Sequence, residues 1–257
     1  MHLDLKDFCF PVVERKVAVD DQVNSKADWQ DNESYLDTGY KAIVREDTNK
    51  VISIVRDSYK IVTNRDLINE LLHFLAVSGE QFKIDPSHSF VQDNRMRLMI
   101  TFPNLTLQDN ESEINLSLFI HNSYDLSEGI RFYFGAIRSV CSNGMVLGEI
   151  LGRYYSKHTS GFEMSDFSAK LDEAKEHFPA IQERIDQLQM LPATPKLVEQ
   201  ISDKISKRLT DEVLEQHEIN QMSQWELLNR TTSYISHDVD KPHRARHQQS
   251  VSRIFGL

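Results

Sequence analysis

Cysteine is almost missing from this chain: Cys9 and Cys141 are the two in 257 residues. Two thiols can build neither a disulfide framework nor a four-thiolate zinc site. Long apolar runs are missing as well, and no stretch approaches the ~20 residues a membrane span requires. The opening MHLDLKDFCF lacks the basic-then-apolar order of a secretion signal, so the expected location is cytoplasmic, with no membrane contact. Nine glycines in the whole chain exclude collagen-like repetition. Several signatures are also absent. There is no GxxxxGK[ST] loop, no GxGxxG after a strand, no GxSxG elbow and no HExxH. No repeat of 20–50 residues is visible.

What remains is an ordinary soluble composition, 40% apolar and 26% charged, in a length that fits one large domain or two small ones. The net charge is −10 and is spread unevenly. Residues 1–40 hold 4 basic and 9 acidic side chains, residues 41–160 hold 13 and 14, and residues 161–257 hold 12 and 16. The last seventeen residues carry Lys241, Arg244, Arg246 and Arg253 without an acid. An anionic protein can still hold nucleic acid where cations gather on one face, because phosphate neutralisation is local on the scale of a Debye length, ~8–10 Å.

Three regions follow from the pattern. Residues 1–39 read as an acidic, loosely structured arm. Residues 40–160 read as an α+β core, and residues 161–257 as a helical region that packs on the core or forms subunit contacts. Within the core, 40–45 and 51–55 are β-branched runs separated by turn residues, a hairpin, and 59–62 reads as a short strand. Leu67, Leu71, Leu72 and Leu75 recur at helical spacing between Asn64, a candidate N-cap, and Gly79, which predicts a helix over 64–78. Strands are expected at 81–85, 89–92, 95–103, 113–122 and 131–138. The fold class is therefore α+β: a mostly antiparallel, curved sheet with one packed helix, then a helical C-terminal part. There, Phe167, Leu171, Ala174, Phe178, Ile181, Ile185 and Leu188 step by 4 and 3 as a heptad seam, with Pro179 expected to kink or split it. Helices are further expected at 197–213, 222–236 and 243–254.

The candidate chemistry is sparse. Arg153, Tyr154, Tyr155, Lys157 and His158 place cations beside flat rings, the combination that holds the phosphates and stacks the bases of a single strand. Arg138 joins them as a phosphate contact. Arg131 lies seven residues away and faces oppositely unless Gly135 forms a bulge. Arg244 and Arg246 add charge from the C-terminal helix. His243 and His247, four apart on one helical face, could bind a metal together with Asp238 and Asp240. Two interleaved arginines oppose a cation there, and Asp240 with Pro242 reads as a helix opening. Cys141 would need a base such as His121 or His158 to become a nucleophile, and the reading here is a structural thiol. Trp225 with Asn229 and Thr232 beneath it reads as a core anchor that ties down a loop.

Several of these stretches, His121-Asn122-Ser123-Tyr124-Asp125, Arg138 to Gly144, Lys157-His158-Thr159 and Trp225 to Thr232 with His237 and Arg246, resemble the phage/plasmid-like protein family, which carries an uncharacterised domain. Arg230 stands where that family has a small residue. The resemblance implies mobile-element biology and brings no catalytic residues. In layout only, the chain is similar to single-strand annealing proteins. The expectation is a nucleic-acid-binding protein that acts without catalysis or cofactor, forms homo-oligomers and holds single-stranded DNA. Two alternatives are an acidic protein that binds a host defence or replication factor, and a metal-dependent nuclease.

Overall fold

The computed structural model describes residues 4–20, 35–92, 94–138, 146–156, 165–214, 219–239 and 241–257. It is α+β, with the strands preceding all but one of the helices. Strands β1 (Val12–Asp20), β2 (Tyr35–Arg45) and β3 (Lys50–Arg56) form a three-stranded antiparallel sheet. After helix α1 (Asn64–Ser78) come β4 (Lys83–Ile84), β5 (Phe90–Gln92), β6 (Arg95–Gln108), β7 (Glu113–Ser123), β8 (Ile130–Arg138) and β9 (Val146–Ser156). These make a six-stranded sheet in the order β4-β6-β7-β8-β9, with β5 also on β6. Five helices complete the chain: α2 (Ser165–Met190), α3 (Pro195–Lys204), α4 (Lys207–Leu214), α5 (Gln224–Asp238) and α6 (Lys241–Ile254).

The period-two rule sorts the six-stranded sheet into two unlike faces. Met96, Leu98, Ile100 and Phe102 on β6, Ile114, Leu116, Leu118 and Ile120 on β7, and Phe132 and Phe134 on β8 are all buried in the main core. Helices cover this side. Phe167 of α2 sits edge-on to Phe132 and Phe74, with ring centroids 5.5 and 4.9 Å apart. The whole heptad seam, Phe167 to Leu188, is buried in the same core. The seam is thus consumed within the chain and is not left over as a subunit contact.

Several local expectations change. The N-terminal segment is not a loose arm where it is described. A 3-10 turn at Leu5–Phe8 buries Phe8 in the main core, and β1 pairs along β2 from Val12 to Asp20. Cross-strand pairing outweighs the polar composition that suggested an arm. Residues 59–62 form no strand. The Val62 carbonyl accepts instead from the Asn122 amide at 3.2 Å, so a side chain satisfies it in place of a ladder. Helix α1 spans the expected residues, but Thr63 is the N-cap, accepting from the Asp66 N–H at 3.0 Å. Asn64 turns inward. Helix α2 runs unbroken through Pro179. The lost hydrogen bond is offset by burial of Phe178, Ile181 and Ile185 around it. The expected helix at 197–213 is two helices, because Ser206 accepts from the Leu209 N–H at 3.1 Å and starts α4 anew. Cys141 lies outside the described residues.

Candidate nucleic-acid interface

The second face of the six-stranded sheet carries the chemistry. Register across β6 to β9 aligns its side chains in rows. One row is Arg97, His121, Arg131 and Tyr155. The next is Met99, Phe119, Tyr133 and position 153. With strands ~4.8 Å apart, each row is about 14 Å long. Met99 and Ile137 are buried with Phe119 against them as a small apolar patch. Arg131 is exposed, and Tyr155 is half exposed at 50%. The Arg131 guanidinium lies 5.9 Å from the Tyr155 ring centroid, a cation–π contact. Among the described residues Arg131 has no carboxylate partner. Phe119 and Tyr133 stack face to face, centroids 4.8 Å apart at 7°.

A polar chain stiffens the same face. Glu128, in the β7–β8 connection, is bonded by Arg97 and lies 3.6 Å from His121 Nδ1. The Tyr133 hydroxyl lies 3.1 Å from His121 Nε2. A neutral ring with its proton on Nδ1 faces Glu128 and accepts from Tyr133 through Nε2. Burial first, and then the positive charges of Arg97 and Arg131, push the His121 pKa down to about 4 against the pull of Glu128. Burial would raise the Glu128 carboxyl, but bonds from His121 and Arg97 outweigh it and hold the pKa at about 2. At neutral pH the pair is therefore neutral His121 and ionised Glu128, with Arg97 as the counter-charge. Arg95 is similarly matched to Asp125 at 3.3 Å.

The motif His121 to Asp125 has a second task at its far end. The buried Tyr124 hydroxyl accepts from the Asn64 N–H at 2.5 Å, and its carbonyl accepts from the Ser53 hydroxyl at 2.7 Å. The Asn122 amide donates to Asn64 Oδ1 at 2.8 Å, and the Asn64 amide donates to the Phe8 carbonyl at 2.9 Å. This junction ties β7 to β3, to the start of α1 and to the N-terminal segment.

The residues singled out from the sequence divide as follows. Tyr155 lies on the open face. Arg153 pairs with Tyr133, which puts that position in the same face. Tyr154 pairs with Phe132 and is half buried against it, centroids 5.9 Å apart, so it belongs to the core side. Arg138 pairs with Ile114, and the unbroken β7–β8 register sets positions 131 and 138 on opposite faces. The irregularity near Gly135 affects only the pairing with β9. Lys157 and His158 lie outside the described residues. Arg244 and Arg246 stand on α6, whose Val251 is part of the helix-covered core, with Arg246 exposed there. Of the metal candidates, Asp238 ends α5, His243 and His247 are on α6, and Asp240 is outside the described residues. Among the described residues no three His, Cys, Asp or Glu side chains come together to hold a metal. Trp225 is the anchor expected: it is buried, and its indole N–H donates to Asp109 at 3.2 Å, fixing the β6–β7 turn.

Sequence reading missed Arg97, Phe119, Glu128 and Tyr133. The usable signal was the i, i+2 spacing of Phe119 with His121 and of Arg131 with Tyr133. Strand β9 was missed too, since Gly148 and Gly152 interrupt its apolar pattern.

Among the described residues no helix is long and apolar enough to cross a membrane. No curated protein and no solved structure matches the chain. One family model does match, over residues 51–254, which is most of the chain and takes in β3, the whole six-stranded sheet and helices α1 to α6. The chain therefore belongs to the family described as Domain of unknown function (DUF932).

Proposed function

We propose that this protein binds single-stranded nucleic acid, DNA in the first instance, along the open face of its six-stranded sheet. It acts without catalysis, as a cytoplasmic, homo-oligomeric binding and annealing factor of a phage or plasmid. The observation that carries the reading is Arg131 over the half-exposed Tyr155. A guanidinium without a carboxylate partner among the described residues stands beside a half-exposed ring, on a face that no described helix covers. Bases stacked on an aromatic ring gain ~1–3 kcal/mol each, and the stacking is sequence-tolerant. The two rows supply Arg131 and position 153 for phosphates, while Arg97 and Arg95 already have their own carboxylates. Annealing asks only that strands be held with bases accessible and phosphate repulsion relieved. The mobile-element assignment rests on the resemblance of the His121, Cys141 and Trp225 stretches to phage and plasmid proteins.

The test is fluorescence anisotropy with a labelled oligothymidylate across a salt series. Wild-type protein is expected to bind with a Kd that rises with salt. Tyr155→Ala and Arg131→Ala are each expected to weaken binding on the order of ten-fold. Absent or salt-independent binding overturns the reading.

A further inference from the structure

The three-stranded sheet also has two faces. One packs inward: Ile43 and Val55 are buried with Phe10, Tyr59 and Tyr124. On the other, Ala42 and Val44 of the central strand are buried, and the flanking Arg15, Ile54 and Arg56 are exposed. Cross-strand register aligns Val17 with Tyr40 and Arg56, and Arg15 with Ala42 and Ile54. Tyr40 is 42% exposed and Ile54 57%. Arg15 and Arg56 are exposed, and among the described residues neither has an ion-pair partner. No paired position on this face is acidic. In a chain of net charge −10, this is a locally cationic surface with a flat ring and aliphatic ground between its charges.

Resting on the reading above, we infer that the outward face of β1–β2–β3 is a second strip for the same single strand, with Arg15 and Arg56 on phosphates and bases laid on Tyr40 and Ile54. Charge decides the occupant. Two copies meeting through this face about a two-fold axis would set guanidinium against guanidinium, with no carboxylate among the described residues of the face to neutralise them. A polyanion meets two cations that have no ion-pair partner among the described residues. Tyr40 and Arg56 sit directly across β2 and β3, within ~5 Å at their Cβ atoms, close enough to share one nucleotide.

The experiment uses the full chain and a labelled oligothymidylate long enough to reach both sheets, in a salt series. Arg15→Ala/Arg56→Ala is expected to make the slope of log Kd against log salt shallower by about 1.4, at ~0.7 per phosphate on a single strand. Tyr40→Ala is expected to weaken binding on the order of ten-fold, and Arg15→Lys/Arg56→Lys to retain the wild-type slope. Circular dichroism and the elution volume establish that each variant is folded. If wild type binds, Tyr155→Ala weakens it, and the Arg15→Ala/Arg56→Ala slope is unchanged, this inference is overturned and the first reading stands. If the alanine variants change only the oligomeric state, the face is a contact between copies and the inference is likewise overturned. If wild type does not bind at all, both readings fall.

Discussion

Among the described residues each of the two sheets has one face on which no helix packs, and the two treat its charges differently. On the six-stranded sheet most of the cations are matched: Arg97 to Glu128, Arg95 to Asp125, with His121 held neutral between Glu128 and Tyr133. On the three-stranded sheet the lysines of the inward side are matched, Lys41 to Glu14 at 2.9 Å and Lys16 to Asp37 at 3.9 Å. Among the described residues the arginines of its outward side are not. Preorganised polar contacts hold side chains in place before a ligand arrives, whereas exposed single cations must be ordered on binding and lose rotamer freedom, up to ~2 kcal/mol each. Under the proposed function the larger sheet would fix the position of a strand, and the smaller one would add salt-dependent affinity.

That contrast can be broken most strongly at the cores. Phe134→Ala, on the helix-covered face of the large sheet, is expected to cost about 3–5 kcal/mol. Ile54→Ala, on the outward face of the small sheet, should stay within about 0.5 kcal/mol. Urea denaturation measures both, and comparable losses would mean that the small sheet's outward face is covered.

The junction between the sheets comes next. Asn122→Ala removes the donor to Asn64 and Val62 and leaves buried acceptors unpaired, an expected loss of about 2–3 kcal/mol. Hydrogen exchange should show faster opening of β3 and of the start of α1. Unchanged protection there would separate the sheets energetically.

The pH dependence sharpens the difference further. The His121 pKa lies below its ordinary 6.5, at about 4. The unfolded chain therefore binds more protons between those values, and stability falls as pH drops through that window. The Glu128 pKa, about 2 against an ordinary 4.5, has the same sign, and its contribution is lost between those values as pH falls. Two successive declines are expected in the urea midpoint. His121→Gln should remove the upper one and Glu128→Gln the lower one, and a wild-type midpoint that is flat from pH 7 to 4 would contradict the neutral His121.

The smallest effect is expected at Trp225→Phe. It keeps most of the buried ring and loses one hydrogen bond to Asp109, about 1 kcal/mol. Thermal unfolding followed by circular dichroism gives the value.

The legible part of this protein was the local part. Leucine spacing from Leu67 to Leu75 marks α1, the 4 and 3 steps from Phe167 mark α2, and alternation marks β6 to β8, because each depends on residues a few positions apart. The illegible part depended on distant partners. Strand β1 exists because β2 lies beside it, and β9 because β8 does. Tyr154 and Tyr155 are adjacent and chemically alike, yet one packs on Phe132 and the other stands beside Arg131.

Composition and short-range periodicity by themselves set the class of this molecule: an anionic α+β chain, sheet first and helices after, with an apolar seam for the core. Which residues share a face was decided only when strands paired. A strand alternates sides at every step, so register over tens of residues determines whether a cation meets a carboxylate, a ring or water. Arg97 met Glu128 across 31 positions and Arg131 met Tyr155 across the β8–β9 pairing, and no local pattern encodes either distance.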